Sequence, residues 1–228
     1  MKNFPLLIAV GVSAAALIPD AGAASILGTG AGALLGGDLT DPEDDGTADG
    51  MNYNAVFAAS EEPGFGGGEF AFNVFNNLVG GGNAKWCCGD QNDFPNNPIW
   101  VQATFDNPIV LTHFTLTSGN DTAGRDPVDW AIQGSNDGVN FDSIFTQTGP
   151  GTEWTARDQV VRWDGEGADF ATPDPYSTIR LHVTATSLTT GARFQLNEFE
   201  IFGTVIPEPS QLALLGMAGA ALFLRRRR

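Results

Sequence analysis

Cysteine and histidine are scarce in this 228-residue chain, which has two of each. So few cysteines exclude a disulfide-rich scaffold, and Cys87 and Cys88 alone offer too few ligands for a zinc site. The histidines, His113 and His182, are far apart in sequence, and neither lies in a catalytic motif. The chain also lacks a phosphate-binding loop, a dinucleotide fingerprint and zinc-ligand spacing. Catalysis therefore finds little support, although the many carboxylates leave an acid–base pair open.

Basic residues are scarce as well, because 11 Lys and Arg stand against 27 Asp and Glu, for a net charge of −16. Without Lys2, Asp20 and the four terminal arginines, six basic and 26 acidic residues remain, a net charge near −20. A surface this acidic repels nucleic acids and anionic lipid headgroups, so we expect no nucleic-acid partner. It suits divalent cations and neutral ligands.

The apolar runs at the two ends, 6–18 and 212–224, are both shorter than the roughly 20 residues that span a bilayer comfortably. The first follows a short, weakly positive start and ends at Pro19-Asp20, before small residues that suit cleavage. This pattern predicts a secretory signal peptide over residues 1–24 rather than a permanent membrane helix.

The C-terminal tail, 205–228, has three parts: Pro207-Glu208-Pro209, the apolar run 212–224 and four terminal arginines. The prolines fix φ and lack an N–H, so they predict an extended, accessible linker. The arginines favour a cytoplasmic position for the end of the chain. This order resembles the PEP-CTERM sorting signal of Gram-negative bacteria, with an ordinary C-terminal anchor as the alternative. The resemblance implies an exosortase as processing partner, transient anchoring in the inner membrane through the tail, and export to the cell surface or extracellular matrix.

From Phe70 onward, short runs of β-branched and aromatic residues alternate with Asn, Asp, Gly and Pro turns. Runs 99–105 and 109–117 are predicted to be successive strands, with Phe114 and Leu116 on one face of the second. Five more strands are predicted, at 129–134, 141–148, 159–163, 178–184 and 194–202. No segment here has a helical hydrophobic period, so residues 70–204 are predicted to form an all-β antiparallel sandwich or jelly roll. Residues 25–69, rich in Gly and Ala and then acidic, are expected to pack partly on it.

Six segments then carry a family resemblance. In order they are 75–77 with Lys85-Trp86, 100–102, 115–121, 124–127, 130–138 and 196–203, and the Gly-Ser-Asn-Asp-Gly turn at 134–138 is the most specific. Together they resemble the discoidin family, the galactose-binding-like or coagulation-factor C-type domain. The resemblance implies an eight-stranded jelly roll that binds glycans, phospholipid or protein and often carries a structural calcium ion.

For calcium, the resemblance implies Asn76 and Glu198 as ligands, with backbone carbonyls such as that of Lys85 completing the set. Asn76 replaces the family's usual aspartate, which weakens the site. Alternatively, Asn76 and Glu198 only hydrogen-bond loops together. The acidic stretch 38–49 does not match EF-hand spacing, so it is either a calcium loop or a solvated acidic run.

The candidate ligand-binding residues are Asn120, Asp121, Arg125 and Trp154, all predicted on loops, where rigid sandwiches carry binding. Arg125 can present paired N–H groups to sugar hydroxyls or a carboxylate, or it can pair with Asp121 or Asp126 and hold the loop. An exposed Trp154 can stack on a sugar ring, and edge packing is its alternative.

The adjacent Cys87 and Cys88 allow a strained vicinal disulfide, a bond between chains or a free buried pair, and we expect the buried pair. Trp86, Trp100 and Trp130 are expected to pack in the core.

The function that fits these features is an exported, non-catalytic binding module for a carbohydrate or exopolysaccharide. The alternatives are a structural matrix or adhesion protein with a protein partner, and a small polysaccharide-acting jelly-roll enzyme.

Overall fold

The computed structural model describes residues 24–43, 54–61, 68–87, 97–149, 154–188 and 193–207. These residues hold ten β-strands and three 3₁₀ turns. The strands are β1 (Ser25–Thr29), β2 (Ala55–Ala59), β3 (Trp86–Cys87), β4 (Ile99–Thr117), β5 (Pro127–Ser135), β6 (Asp142–Gln147), β7 (Gln159–Asp164), β8 (Tyr176–Thr186), β9 (Gln195–Leu196) and β10 (Glu198–Val205). The predicted all-β antiparallel class is therefore confirmed.

Strand β4 belongs to both layers of the sandwich. Its first half pairs with β2 and β8, and its second half pairs with β10 and β7. The change of partners falls near Pro108, which has no N–H to give to a ladder. The two strands predicted at 99–105 and 109–117 are thus halves of one long strand.

Two sheets result. A five-stranded sheet runs β2-β4-β8-β5-β6, and a four-stranded sheet runs β10-β4-β7-β1, with every pairing antiparallel. Strands β3 and β9 form a separate short pair. Together the two sheets form the sandwich that the sequence predicts.

The core lies between the sheets because successive side chains of a strand point to opposite faces. On β8, Ile179, Leu181 and Val183 are fully buried. Phe114, also fully buried, stacks on Trp163 with ring centroids 5.2 Å apart and meets Trp130 edge-on. An aromatic cluster therefore fills the centre of the core.

The segment before Phe70 contributes more than a partly packed tail. Strand β1 pairs with β7, and β2 pairs with β4, so both sheets extend into residues before the predicted boundary. The N–H of Leu39 donates to the carbonyl of Ile201 at 2.8 Å, which fixes Leu39 against β10.

Among the described residues, no helix is long and apolar enough to cross a membrane. The predicted signal peptide (apart from Ala24), Glu208, Pro209, the apolar run 212–224 and the terminal arginines lie outside those residues.

Candidate functional site

Polar side chains gather where β4 ends and β5 and β7 begin. We call this region the loop end; it consists of residues 76–85, 118–126, 154–158 and 187–195 in so far as they are described. Each segment leads into or out of a strand, so the loop side chains are carried on a rigid base.

Lys85 is the hub of the loop end. Its ammonium Nζ lies 2.6 Å from Asn120 Oδ1 and 3.1 Å from Asp121 Oδ2, with Glu69 Oε1 at 3.7 Å and Gln195 Oε1 at 3.4 Å. The residue is only 2% exposed. A buried ammonium is costly unless oxygen atoms surround it, and these four partners supply that surrounding. The sequence had suggested only the backbone carbonyl of Lys85, so this role of the side chain was missed.

Asp121 is the exposed member of the group, since half of its side chain is accessible. Partial desolvation opposes its ionisation, but hydrogen bonds from Thr122 and Lys85, with the charges of Lys85 and Arg125, outweigh that effect and lower the pKa of Asp121. Asn120 is fixed beside it, because its amide Nδ2 also donates to the Gly80 carbonyl at 3.1 Å. The loop end therefore presents an ionised carboxylate in a defined position.

Arg125 adopts the loop-holding arrangement. Its Nη1 lies 3.7 Å from Asp121 Oδ2 and 3.8 Å from Cys87 Sγ. Asp126 pairs instead with Arg157. Arg125 remains partly accessible, at 24% of its side chain, so it borders the same surface as Asp121.

The loop is supported from beneath by Gln195, which is fully buried. Its amide Nε2 donates to the Thr122 carbonyl at 3.0 Å and lies 3.4 Å from Asp126 Oδ1. Gly119 leaves the space that Gln195 occupies, because a Cβ at position 119 would lie 2.2 Å from the Gln195 amide. Sequence reasoning did not single out Gln195, since its contacts depend on how two distant loops meet.

Cys87 is buried and disulfide-bonded. This contradicts the expected free pair, and the physical reason lies in the exported chain's oxidising surroundings, which favour the bonded state. The chain's one other cysteine, Cys88, lies outside the described residues.

Trp154 does not offer a stacking surface. It is only 5% exposed, its ring meets Trp163 edge-on at 6.4 Å, and its Nε1 lies 3.4 Å from the Leu116 carbonyl. Its predicted contact with a sugar ring is wrong, and the packing alternative describes it, because the ring closes the end of the aromatic core.

The three calcium candidates fall in different settings. The side-chain oxygen of Asn76 accepts the N–H of Leu78 at 3.0 Å, and the Lys85 carbonyl accepts the Asn73 amide at 3.0 Å. Glu198 is fully buried on β10, with Oε1 3.2 Å from the Phe199 nitrogen. The three residues thus make separate local contacts.

Glu198 instead belongs to a group that we call the buried acidic layer: Asp38, Asn77, Glu198 and Glu200. Burial, followed by the charges of Asp38 and Glu200, raises the pKa of Glu198 well above its usual value. Burial likewise raises the pKa of Asp38. The N-terminal segment closes the layer, since the Gly36 N–H donates to Glu200 Oε1 at 2.7 Å.

The buried acidic layer has the donor chemistry of a calcium site. Asp38 Oδ2, Asn77 Oδ1 and Glu198 Oε2 are buried oxygens that accept no hydrogen bond from any residue the structure describes. Such hard oxygen donors suit Ca²⁺. Within the described part of the chain, no three acidic, histidine or cysteine side chains are grouped to hold a metal. A cation there would therefore need the Asn77 amide and backbone carbonyls as well.

The fold and the loop end define a β-sandwich recognition module with a charged, preorganised loop surface. Residues 56–195 match the F5/8 type C domain, and residues 205–228 match the PEP-CTERM protein-sorting motif. The chain belongs to the F5/8 type C, or discoidin, family, and it carries the sorting motif of an exported protein directed to the cell envelope.

Two solved structures illustrate the similarity. One is CpGH89CBM32-5 of Clostridium perfringens, in complex with GalNAc-β-1,3-galactose: 16% identity, TM-score 0.49, covering 66% of this chain and 96% of that one. Another is chitosan-binding module 1 of a chitosanase/glucanase from Paenibacillus sp. IK-5: 23% identity, TM-score 0.45, covering 66% and 96%. No protein among curated sequences matches this chain significantly.

Proposed function

We propose that this protein is an exported, non-catalytic carbohydrate-binding module that recognises a glycan at its loop end. The observation that carries the proposal is the exposed carboxylate of Asp121, held by Lys85 and Arg125. A carboxylate accepts hydrogen bonds from neighbouring sugar hydroxyls, and an adjacent guanidinium donates hydrogen bonds to them. The pair therefore satisfies a sugar hydroxyl both as a donor and as an acceptor.

Preorganisation supports this choice of surface. Lys85 and Asn120 hold Asp121 before any ligand arrives, so binding orders fewer side chains and loses less conformational entropy. The histidines offer no comparable centre, since His113 stacks on Phe202 with centroids 4.4 Å apart and His182 lies on β8 of the other sheet. These settings support a binding role over an acid–base role.

The sorting motif supports a cellular setting for this activity. We propose that an exosortase processes the chain at Pro207-Glu208-Pro209 while its tail holds it in the inner membrane. The released or re-anchored domain then binds exopolysaccharide at the cell surface or in the extracellular matrix. The acidic surface suits a largely neutral polymer, because like charges on a polyanion would be repelled.

We further propose that the buried acidic layer holds a structural Ca²⁺ ion through Asp38, Asn77 and Glu198. The donor chemistry supports this set better than one built on Asn76 and the Lys85 carbonyl, whose oxygens accept hydrogen bonds from protein groups. The ion's charge would offset the repulsion among the buried carboxylates and fix the N-terminal segment to β10.

The loop end is tested by binding the processed chain, 25–206, to a polysaccharide panel that includes the host's exopolysaccharide. Asp121→Asn is expected to weaken binding about ten- to a hundredfold, since hydrogen bonds to charged groups contribute roughly 1.5–3 kcal/mol. Asp106→Asn is the matched control, because Asp106 is exposed and lies on β4 far from its loop-end terminus, Thr117. Saturable binding of equal affinity by the wild type, Asp121→Asn and Asp106→Asn would contradict the loop-end assignment. No binding to any glycan would favour a structural matrix role with a protein partner.

A further inference from the structure

A second polar surface lies on the outer face of the five-stranded sheet, away from the loop end. We call it the sheet face: Trp100, Gln102, Gln133, Arg180 and His182. Cross-strand register places Gln102 and Gln133 on either side of Arg180, and Trp100 beside His182. Because these positions alternate with the buried residues of β4, β5 and β8, their side chains share the outer face. Trp100, expected in the core, is only partly buried here.

Arg180 is the centre of the sheet face. Its guanidinium carbon lies 4.3 Å from the ring centroid of Trp100 and 3.4 Å from that of Phe141. Its Nε and Nη2 both donate to Gln102 Oε1, at 3.0 and 2.7 Å. Stacking uses the faces of a guanidinium and leaves its edge for hydrogen bonds. Of its five N–H groups, these contacts use two and leave three unused.

Within the described residues Arg180 takes part in no ion pair, and burial alone lowers its pKa to about 10. The chain has 27 acidic residues against 11 basic ones, yet none of the acidic residues that the structure describes pairs with Arg180. A half-buried arginine flanked by two neutral amides is a cation that a carboxylate from outside the chain can pair with.

The neighbouring groups could hold the rest of a ligand. Gln133 and His182 line a groove of about 270 Å³ together with Ser143, Thr146 and Thr184. Burial, then the charge of Arg180, lowers the pKa of His182, so the imidazole is neutral near pH 7 and can both donate and accept. Asp129, the acidic side chain in this groove, lies four residues from Gln133 along β5, or roughly 13 Å.

We propose that the sheet face is a second glycan site, which binds one carboxylate-bearing sugar unit. The sugar carboxylate meets the free edge of Arg180, and its ring hydroxyls meet Gln133 and His182. The net negative charge of the chain opposes a long polyanion but is screened beyond about 8 Å at physiological salt, so the predicted ligand unit is an isolated uronic acid. This inference does not rest on the loop end.

The probe is the methyl glycoside of galacturonic acid, with its methyl ester as the uncharged comparison, titrated calorimetrically against the processed chain. The free acid is expected to bind at least tenfold more tightly than the ester, and added salt is expected to weaken it. Arg180→Met keeps an apolar stem against the rings and is expected to remove at least nine-tenths of the affinity. Arg162→Met, on β7 of the other sheet, is the matched control and is expected to bind as the wild type does.

A second variant keeps the inference testable if Arg180→Met does not fold. Gln133→Glu places a carboxylate opposite Arg180 within the chain, so it is expected to block the acid while leaving the melting temperature unchanged or higher. Equal binding of acid and ester, or full binding by a folded Gln133→Glu chain, would overturn the inference. Loss of acid binding in Asp121→Asn alone would overturn it in favour of the loop end. Neutral-glycan binding at the loop end with no acid binding at all would overturn it while leaving the proposed function intact.

Discussion

At the residue scale, one ammonium group organises the loop end. Lys85 is the only lysine outside the first residues of the chain, and it contacts oxygens from Glu69, Asn120, Asp121 and Gln195. Its burial makes those contacts obligatory, since an unpaired ammonium there would be very costly. The exposed Asp121 is therefore held in position by a residue that is itself buried.

Glu198, also a single residue, makes the stability of the protein depend on pH. Its usual pKa is 4.5, and burial with neighbouring charges raises the folded value. Between those two values the folded state binds more protons than the unfolded state does, so stability falls as pH rises above about 4.5. One pKa unit corresponds to about 1.4 kcal/mol, and 1 kcal/mol moves the melting temperature of a chain this size by about 2–4 °C.

Glu198→Gln is therefore expected to melt at a higher temperature than the wild type at pH 7 in chelator, with a flatter pH profile. Calcium is expected to raise the melting temperature of the wild type and to have little effect on the variant, because the variant lacks the charged ligand. Calorimetric melts at pH 4.5 to 8 check both statements, with Glu43→Gln as the exposed control. A variant that keeps the wild-type slope would contradict the burial explanation, and a wild type indifferent to calcium would contradict the ion.

At the element scale, the sequence predicted most of the sheets because strand patterns are local. The alternation of Phe114 and Leu116 with Thr115 predicts which face of the strand points to the core, whatever the rest of the chain does. Both apolar residues are fully buried. The union of two predicted strands into β4 was not predictable, since Pro108 is an ordinary strand breaker in sequence. It is tolerated there because β4 changes partners at that point.

The candidate site was less predictable than the sheets. Asn120, Asp121 and Arg125 lie together on a single loop, so sequence proximity sufficed to group them. The contacts of Gln195 with Lys85 span 110 residues, and the buried acidic layer joins Asp38 to Glu198. Trp154 shows the same limit, because a loop-like sequence does not reveal whether its ring turns inward.

Gly119 offers the element-scale prediction. Gly119→Ala would place a Cβ 2.2 Å from the Gln195 amide, so Gln195 must move and the loop 118–126 loses its support. We expect a destabilisation of about 1–3 kcal/mol and a weaker glycan affinity. Gly32→Ala is the matched control, since Gly32 lies outside the loop end, nothing lies within 4 Å of that position, and the change is expected to alter stability by less than about 0.5 kcal/mol.

Denaturant unfolding and glycan binding, measured on the same preparations, check this pair of variants. A Gly119→Ala chain as stable as the control would show that the loop accommodates the methyl group without moving Gln195. That result would contradict the buried amide's role in positioning the loop.

At the scale of the whole molecule, the positions of the basic residues in an acidic chain define two candidate binding surfaces. The exported domain is strongly acidic, and three of its six basic residues take part in the proposed recognition: Lys85 and Arg125 at the loop end, and Arg180 on the sheet face. A rigid sandwich keeps these two surfaces apart, so one domain can meet one glycan chain at two points and gain avidity without further contacts.

The central claim is that the loop end binds glycan, and mapping of amide chemical shifts tests it most directly. The labelled, processed chain is titrated with a fragment of the host's exopolysaccharide. We predict saturable shifts concentrated at residues 118–125 and near Lys85, with lesser changes on the sheet face when the fragment carries a uronic acid. Shifts confined to other surfaces, or none at any concentration, would contradict the claim.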